Sequence, residues 1–118
     1  MVSAGAKTPE NILKPGGKSM VVYFNAYKLR KGASVPDFKA AVKRLVEENF
    51  AKRQGFISFK LLAEGDGWAD CSEWETMGDY NAFLEAAQSN PTETALAFYA
   101  FLNMNSCKSR VYTVEIDV

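Results

Sequence analysis

Residues 20–29, MVVYFNAYKL, carry apolar or aromatic side chains at both sets of alternating positions. In an extended chain successive side chains point to opposite faces. Val22, Phe24 and Ala26 then share one face, and Val21, Tyr23 and Tyr27 share the other. A strand of this composition needs cover on both sides, so it belongs inside a layered structure.

The segments after this strand supply the layers. Arg30-Lys31-Gly32 ends the strand. Ser34 is placed to cap a helix, with Pro36 in its first turn and Asp37 three residues after the cap. Phe38, Ala41, Val42, Leu45 and Asn49 recur at helical spacing, and Gly55 is the expected stop. Residues 56–63 (FISFKLLA) read as a second strand. Glu64-Gly65-Asp66-Gly67 has hairpin chemistry, and residues 68–75 read as a third strand. A helix from Gly78 presents Tyr80, Phe83, Leu84 and Ala87 on one face. Asn90-Pro91-Thr92-Glu93 is expected to restart a helix, with Asn90 as cap and residues 95–104 nearly all apolar. Residues 110–118 read as the last strand. Residues 1–19, rich in Gly, Lys, Pro and Ser, read as a flexible arm on which Ile12 and Leu13 are the docking candidates.

The order β-α-β-β-α-β is the split βαβ, ferredoxin-like arrangement, an α+β fold with an antiparallel sheet over residues 20–118. Helices cover one face. Both faces look apolar, the last strand offering Tyr112, Val114 and Ile116, so the face left bare predicts association with a second copy into a dimeric α+β barrel.

Composition narrows the function. Fourteen basic and fourteen acidic residues give zero formal net charge. No basic stripe stands out, so no nucleic-acid partner is expected. No apolar run reaches the length of a membrane span and no signal-peptide pattern is present, so a cytoplasmic protein without a membrane partner is expected. Cys71 and Cys107 form no close-spaced motif and read as inert thiols. The chain has no histidine. That removes histidine general acid–base chemistry, Ser-His and Cys-His pairs, and histidine metal ligation; no metal is expected.

The first strand followed by Lys31-Gly32, the junction Gln54-Gly55-Phe56-Ile57-Ser58, and Glu73-Trp74-Glu75-Thr76 before an amphipathic helix together resemble the antibiotic-biosynthesis-monooxygenase-like proteins. That resemblance spans roughly residues 20–118 and implies dimeric α+β barrels. In haem-degrading members the working Asn falls on Asn25 and the helical Trp on Phe83. Their haem-ligating His has no counterpart, so haem degradation is not expected. In quinone-forming members that use no cofactor, the Trp falls on Trp74 and the Tyr on Tyr80. Their Asn falls on Asp70, and their Arg falls near Thr94. The resemblance therefore implies a cofactor-independent monooxygenase acting on a small aromatic or polyketide-like compound. The other readings are a non-catalytic small-molecule-binding protein, a structural dimer with a filled barrel, or an isomerase or lyase of the same fold.

Strand alternation puts Asp70, Ser72 and Trp74 on one face. A carboxylate held there is a candidate base, its pKa raised by desolvation; the alternative is an ion pair with Lys60 or Arg110, or an exposed rim position. Asn25 interrupts an apolar strand and is a candidate donor to a ketone or phenolate oxygen; the alternative is a side chain tied to backbone at a bulge. Tyr80 is the third catalytic candidate. Trp74, Phe83, Tyr23 and Tyr112 are the candidate walls for a flat ligand, with Tyr27 a further cavity-lining residue; the alternative for Trp74 is packing under the second helix, and for the tyrosines, Tyr80 included, a place in the core.

Overall fold

The computed structural model describes residues 20–118. The expected arm, with Ile12 and Leu13, lies outside the described residues. The elements are β1 (Val21–Leu29), α1 (Val35–Leu45) running into a π-turn (Val46–Phe50), β2 (Phe56–Glu64), β3 (Gly67–Trp74), α2 (Met77–Ser89), α3 (Glu93–Tyr99) and β4 (Leu102–Thr113). The strands form one antiparallel sheet in the order β2-β3-β1-β4. This is the ferredoxin-like α+β arrangement, and the doubly apolar strand β1 is one of its two inner strands.

Local chemistry sets the helix starts. Ser34 Oγ accepts from the Asp37 N–H at 3.3 Å, with Pro36 in the first turn of α1. Thr76 caps α2 by accepting from the Asp79 N–H at 3.0 Å. The expected cap at Asn90 is corrected. Asn90 closes α2 through its N–H to the Ala86 carbonyl, and Thr92 caps α3 by accepting from the Ala95 N–H. The helix begins at Glu93, two residues later than expected, so the residue just before it, Thr92, holds the cap.

The π-turn places one extra residue in a turn. Leu45 and Phe50 both bury, and Asn49 comes to line a cavity. The chain then reverses at Gly55, whose φ is +83° and whose carbonyl accepts from the Glu75 N–H at 2.8 Å. A Cβ at this position would lie 2.2 Å from Asp79 Oδ2 and 2.5 Å from Asp79 Cβ. Because the Asp79 Cβ is itself in the way, a rotamer change cannot relieve the clash. We expect Gly55→Ala to cost about 2 kcal/mol or more, read from the urea midpoint, since the left-handed conformation alone costs about 1–2 kcal/mol.

The end of the chain departs from expectation. The apolar run 95–104 is not one helix; α3 stops at Tyr99 and β4 begins at Leu102. Leu102 and Asn103 pair with Leu29 and Lys28, and the Arg30 N–H donates to the Phe101 carbonyl at 2.8 Å. Strand pairing overrides helix propensity here. Between Asn103 and Lys108 the strand bulges from β1. Ser106 Oγ bridges the gap, accepting from the Lys28 N–H at 2.9 Å and donating to the Asn103 carbonyl at 2.6 Å. Residues 114–118, expected within the strand, lie beyond it.

Register fixes the faces. Val21, Tyr23, Asn25 and Tyr27 stand opposite Trp74, Ser72, Asp70 and Trp68. This is the face the helices cover, and its core includes Trp74, Phe38, Phe50, Phe83 and Phe98. The other face carries Val22, Phe24 and Ala26, with Leu62 of β2 and Tyr112 of β4 alongside. Leu62 and Tyr112 are 43% and 51% exposed.

Candidate functional site

A cavity of about 270 Å³ opens between the helix-covered face of the sheet and the helices. Phe83, Leu84, Phe98, Tyr99 and Met104 give it apolar walls. Its floor is polar. Asp70, 5% exposed, stands in mid-strand on β3, directly opposite Asn25 on β1. Asn25 Nδ2 donates to Asp70 Oδ1 at 2.9 Å, and the Tyr27 hydroxyl donates to Asp70 Oδ2 at 2.7 Å. Ser109 of β4, also opposite Asn25, donates to Asn25 Oδ1. That contact fixes the amide with its oxygen toward Ser109 and its N–H toward the carboxylate.

Among the described residues no cation pairs with Asp70. Lys60 and Arg110 stand opposite Cys71 and Phe24, on the other face of the sheet, so neither pairs with it. Burial pushes the Asp70 carboxyl above its ordinary value, and the hydrogen bonds from Asn25 and Tyr27 pull it part of the way back. Burial also raises the Tyr27 hydroxyl, with the Asp70 charge adding to it. Tyr27 therefore remains a neutral donor. The Cys107 thiol is pushed up by burial and then by Asp70, and Cys71 by burial and then by Glu73, so neither is activated as a thiolate.

The cavity gathers some of the sequence candidates and leaves others out. Asp70, Asn25, Tyr23, Tyr27 and Phe83 line it. Tyr80 does not; it is buried behind Tyr23, their ring centroids 5.0 Å apart. Trp74 is fully buried beneath Phe83, at 4.7 Å between rings, and its Nε1 donates to Ser72 Oγ at 2.9 Å. It contributes to the cavity only through Phe83 and Phe50, which line it and pack on the indole. Tyr112, expected as a wall, stands opposite Val22 and so points to the uncovered face. Antiparallel pairing puts directly opposed residues on one face, which removes Tyr112 from the cavity.

Several residues at the site were not singled out from sequence. Ser109 sits just before the expected start of the last strand, so nothing marked its facing. Asn49 read only as part of a helical face, and its cavity position depends on the π-turn. Tyr99 lines the cavity from the end of α3, its hydroxyl raised by burial and then by Tyr23 and Asp70. Among the described residues neither the Tyr23 nor the Tyr99 hydroxyl has a hydrogen-bond partner. Both remain available to a ligand. Chemically, the floor offers a buried carboxylate with one donor on each oxygen, facing an apolar space. Such a group can accept a proton from a bound carbon or phenol acid. No cluster of three metal-ligating side chains occurs among the described residues.

No family model matches the chain, and no curated protein matches it. Solved structures do. SnoaB from Streptomyces nogalater, a cofactor-independent oxygenase, superposes with a TM-score of 0.67 at 19% identity, covering 85% of this chain and 97% of that one. A protein from Nitrosomonas europaea, provisionally described as an antibiotic biosynthesis monooxygenase, gives 0.62 at 16%, covering 83% and 92%. A haem-degrading protein from Mycobacterium tuberculosis gives 0.61 at 16%, covering 86% and 97%. The chain thus has the fold of antibiotic-biosynthesis-monooxygenase-like proteins. At these identities the likeness concerns the fold, and hosts of this fold differ in chemistry. No helix among the described residues is long and apolar enough to cross a membrane.

Proposed function

We propose that the protein is a cofactor-independent monooxygenase for a small, flat, electron-rich phenol or polyketide-like ketone, with Asp70 as its base. The observation that carries this reading is a buried carboxylate, unpaired with any cation among the described residues, at one end of a cavity walled by Phe83, Leu84, Phe98 and Met104. Asp70 takes a proton from a ring CH₂ conjugated with a carbonyl, and the electron pair delocalises through the ring system onto the carbonyl oxygen. The free hydroxyls of Tyr23 and Tyr99 are the donors available to that oxyanion. The carbanion transfers electrons to dioxygen and forms a C–O bond. The peroxide anion takes the proton back from Asp70; the carboxylate then removes the second C–H as the O–O bond breaks and the departing hydroxide leaves with that proton as water, so that CH₂ and O₂ become C=O and H₂O. Asn25 and Tyr27 hold the carboxylate in place, and Tyr80 acts only through Tyr23.

The test is oxygen uptake with anthrone, one O₂ consumed per quinone formed. Turnover without oxygen uptake would instead mark an isomerase or lyase. Binding without turnover would mark a binding protein.

The same reading takes the uncovered sheet face as a homodimer interface closing a barrel. Val22, Phe24, Leu62 and Tyr112 give that face an apolar patch, with Lys60, Glu73, Lys108 and Arg110 on the same face. A second copy offers the self-complementary cover such a face needs. Sedimentation at micromolar concentration is expected to give a dimer for the wild type and a monomer for Phe24→Asp. A wild-type monomer would refute it.

A further inference from the structure

The proposed chemistry uses one end of the cavity and leaves the other unexplained. Among the described residues only two charged side chains line it, Asp70 and Arg53. They come from distant places. Asp70 lies four residues before Trp74 on β3, a separation of about 13 Å along the strand. Arg53 lies two residues before Gly55, which bonds to Glu75, just beyond Trp74. The base and the cation therefore flank the cavity from opposite ends. Arg53 makes no ion pair among the described residues.

The Arg53 end is also rigidly built. Asn49 Nδ2 donates to Thr94 Oγ1, while Thr92 Oγ1 donates to Asn49 Oδ1 at 2.9 Å. Thr92 and Thr94 hydroxyls are 3.0 Å apart. Thr92 has one hydrogen and it goes to Asn49, so Thr94 donates to Thr92 and the three side chains close a ring. Thr92 also accepts from the Ala95 N–H, tying the ring to the start of α3. Asn49 is thus fixed and still has one amide hydrogen to offer. Asn90 lines the same end.

We infer that the cavity takes an aromatic ligand bearing a carboxylate at the end away from the reacting carbon, with Arg53, Asn49 and Asn90 as the carboxylate's binding site. This deepens the monooxygenase reading, and rests on it for which end reacts. The two charges orient such a ligand. A carboxylate placed beside Asp70 meets an uncompensated buried anion, whereas beside Arg53 it meets a guanidinium and two amides. The favoured pose therefore directs the ligand's carboxylate-free end, with its acidic C–H, at Asp70.

The test compares anthraquinone-2-carboxylate with its methyl ester by equilibrium titration. The wild type is expected to bind the acid about tenfold tighter than the ester, the scale of a charge-assisted contact near solvent. Arg53→Gln is expected to erase that preference, and Arg53→Lys to restore part of it. Equal binding of acid and ester by the wild type, no binding of either, or a preference that survives in Arg53→Gln overturns the inference. Binding is read without turnover. Failure of the oxygenase reading would show as absent oxygen uptake beside an intact acid preference.

Discussion

Asp70→Asn is expected to fold, to bind anthraquinone, and to lose about 10²–10⁴-fold in oxygen uptake, the span that a positioned base contributes. The substitution keeps the side chain's shape. The new amide oxygen still accepts from Asn25, and the new N–H₂ donates to the Tyr27 hydroxyl once that hydroxyl rotates. What disappears is the capacity to take a proton. Full activity in a folded Asp70→Asn protein would remove the base from the proposal.

The pH behaviour gives the same experiment a second reading. Because the Asp70 carboxyl is held above its ordinary value, the working carboxylate fills in as pH rises through that raised value. Oxygen uptake should rise with pH across the same range. Stability should move the other way. Between the ordinary aspartate value of 3.8 and the raised one, the folded protein holds a proton at Asp70 that the unfolded chain has released. Stability contributed by this group is complete below the ordinary value and lost as pH rises through the folded one. Above the raised value the wild type carries a buried charge that Asp70→Asn lacks, so at such pH the inactive variant is expected to melt at the higher temperature. A variant that loses activity and melts lower there would indicate a structural lesion.

The sequence revealed faces more readily than pairings. Asp70, Ser72 and Trp74 share a face because alternation along one strand requires no knowledge of any other strand. Asn25 and Asp70 each stood out as polar residues in strands. Their direct hydrogen bond depends on the β1–β3 register, which no local pattern fixes. The misplacing of Tyr112 has the same origin. Its facing relative to Tyr23 is set by the β1–β4 register and by a bulge that Ser106 bridges. Ser109 was hidden for a related reason: β4 starts at Leu102, where pairing with Leu29 ends a run that looked helical. Arg53 and Asn49 show a third limit. Both reach the cavity only because α1 loosens into a π-turn, and nothing in VEENF forbids an ordinary helical turn.

Trp74 drew two readings from the sequence, packing under the second helix and a wall for a flat ligand, and its replacement separates them. As a ligand wall it would lose activity when changed and lose little stability. Its surroundings predict the reverse. The indole is 0% exposed and packs on Phe50, Phe56 and Phe83 at centroid distances of 4.7–6.1 Å. Trp74→Ala is expected to cost about 3–5 kcal/mol in urea unfolding, through lost contacts and a cavity the aromatic cluster cannot fill. Trp74→Phe keeps most of the packing but removes the N–H that satisfies the buried Ser72 hydroxyl, at a cost of about 1–2 kcal/mol. Because the tryptophan bears on the cavity only through Phe83 and Phe50, oxygen uptake per folded Trp74→Phe molecule should stay within a few-fold of wild type. A large loss of uptake with an unchanged urea midpoint would return Trp74 to the chemistry, and would mean that the cavity floor reaches past Phe83 when substrate is bound.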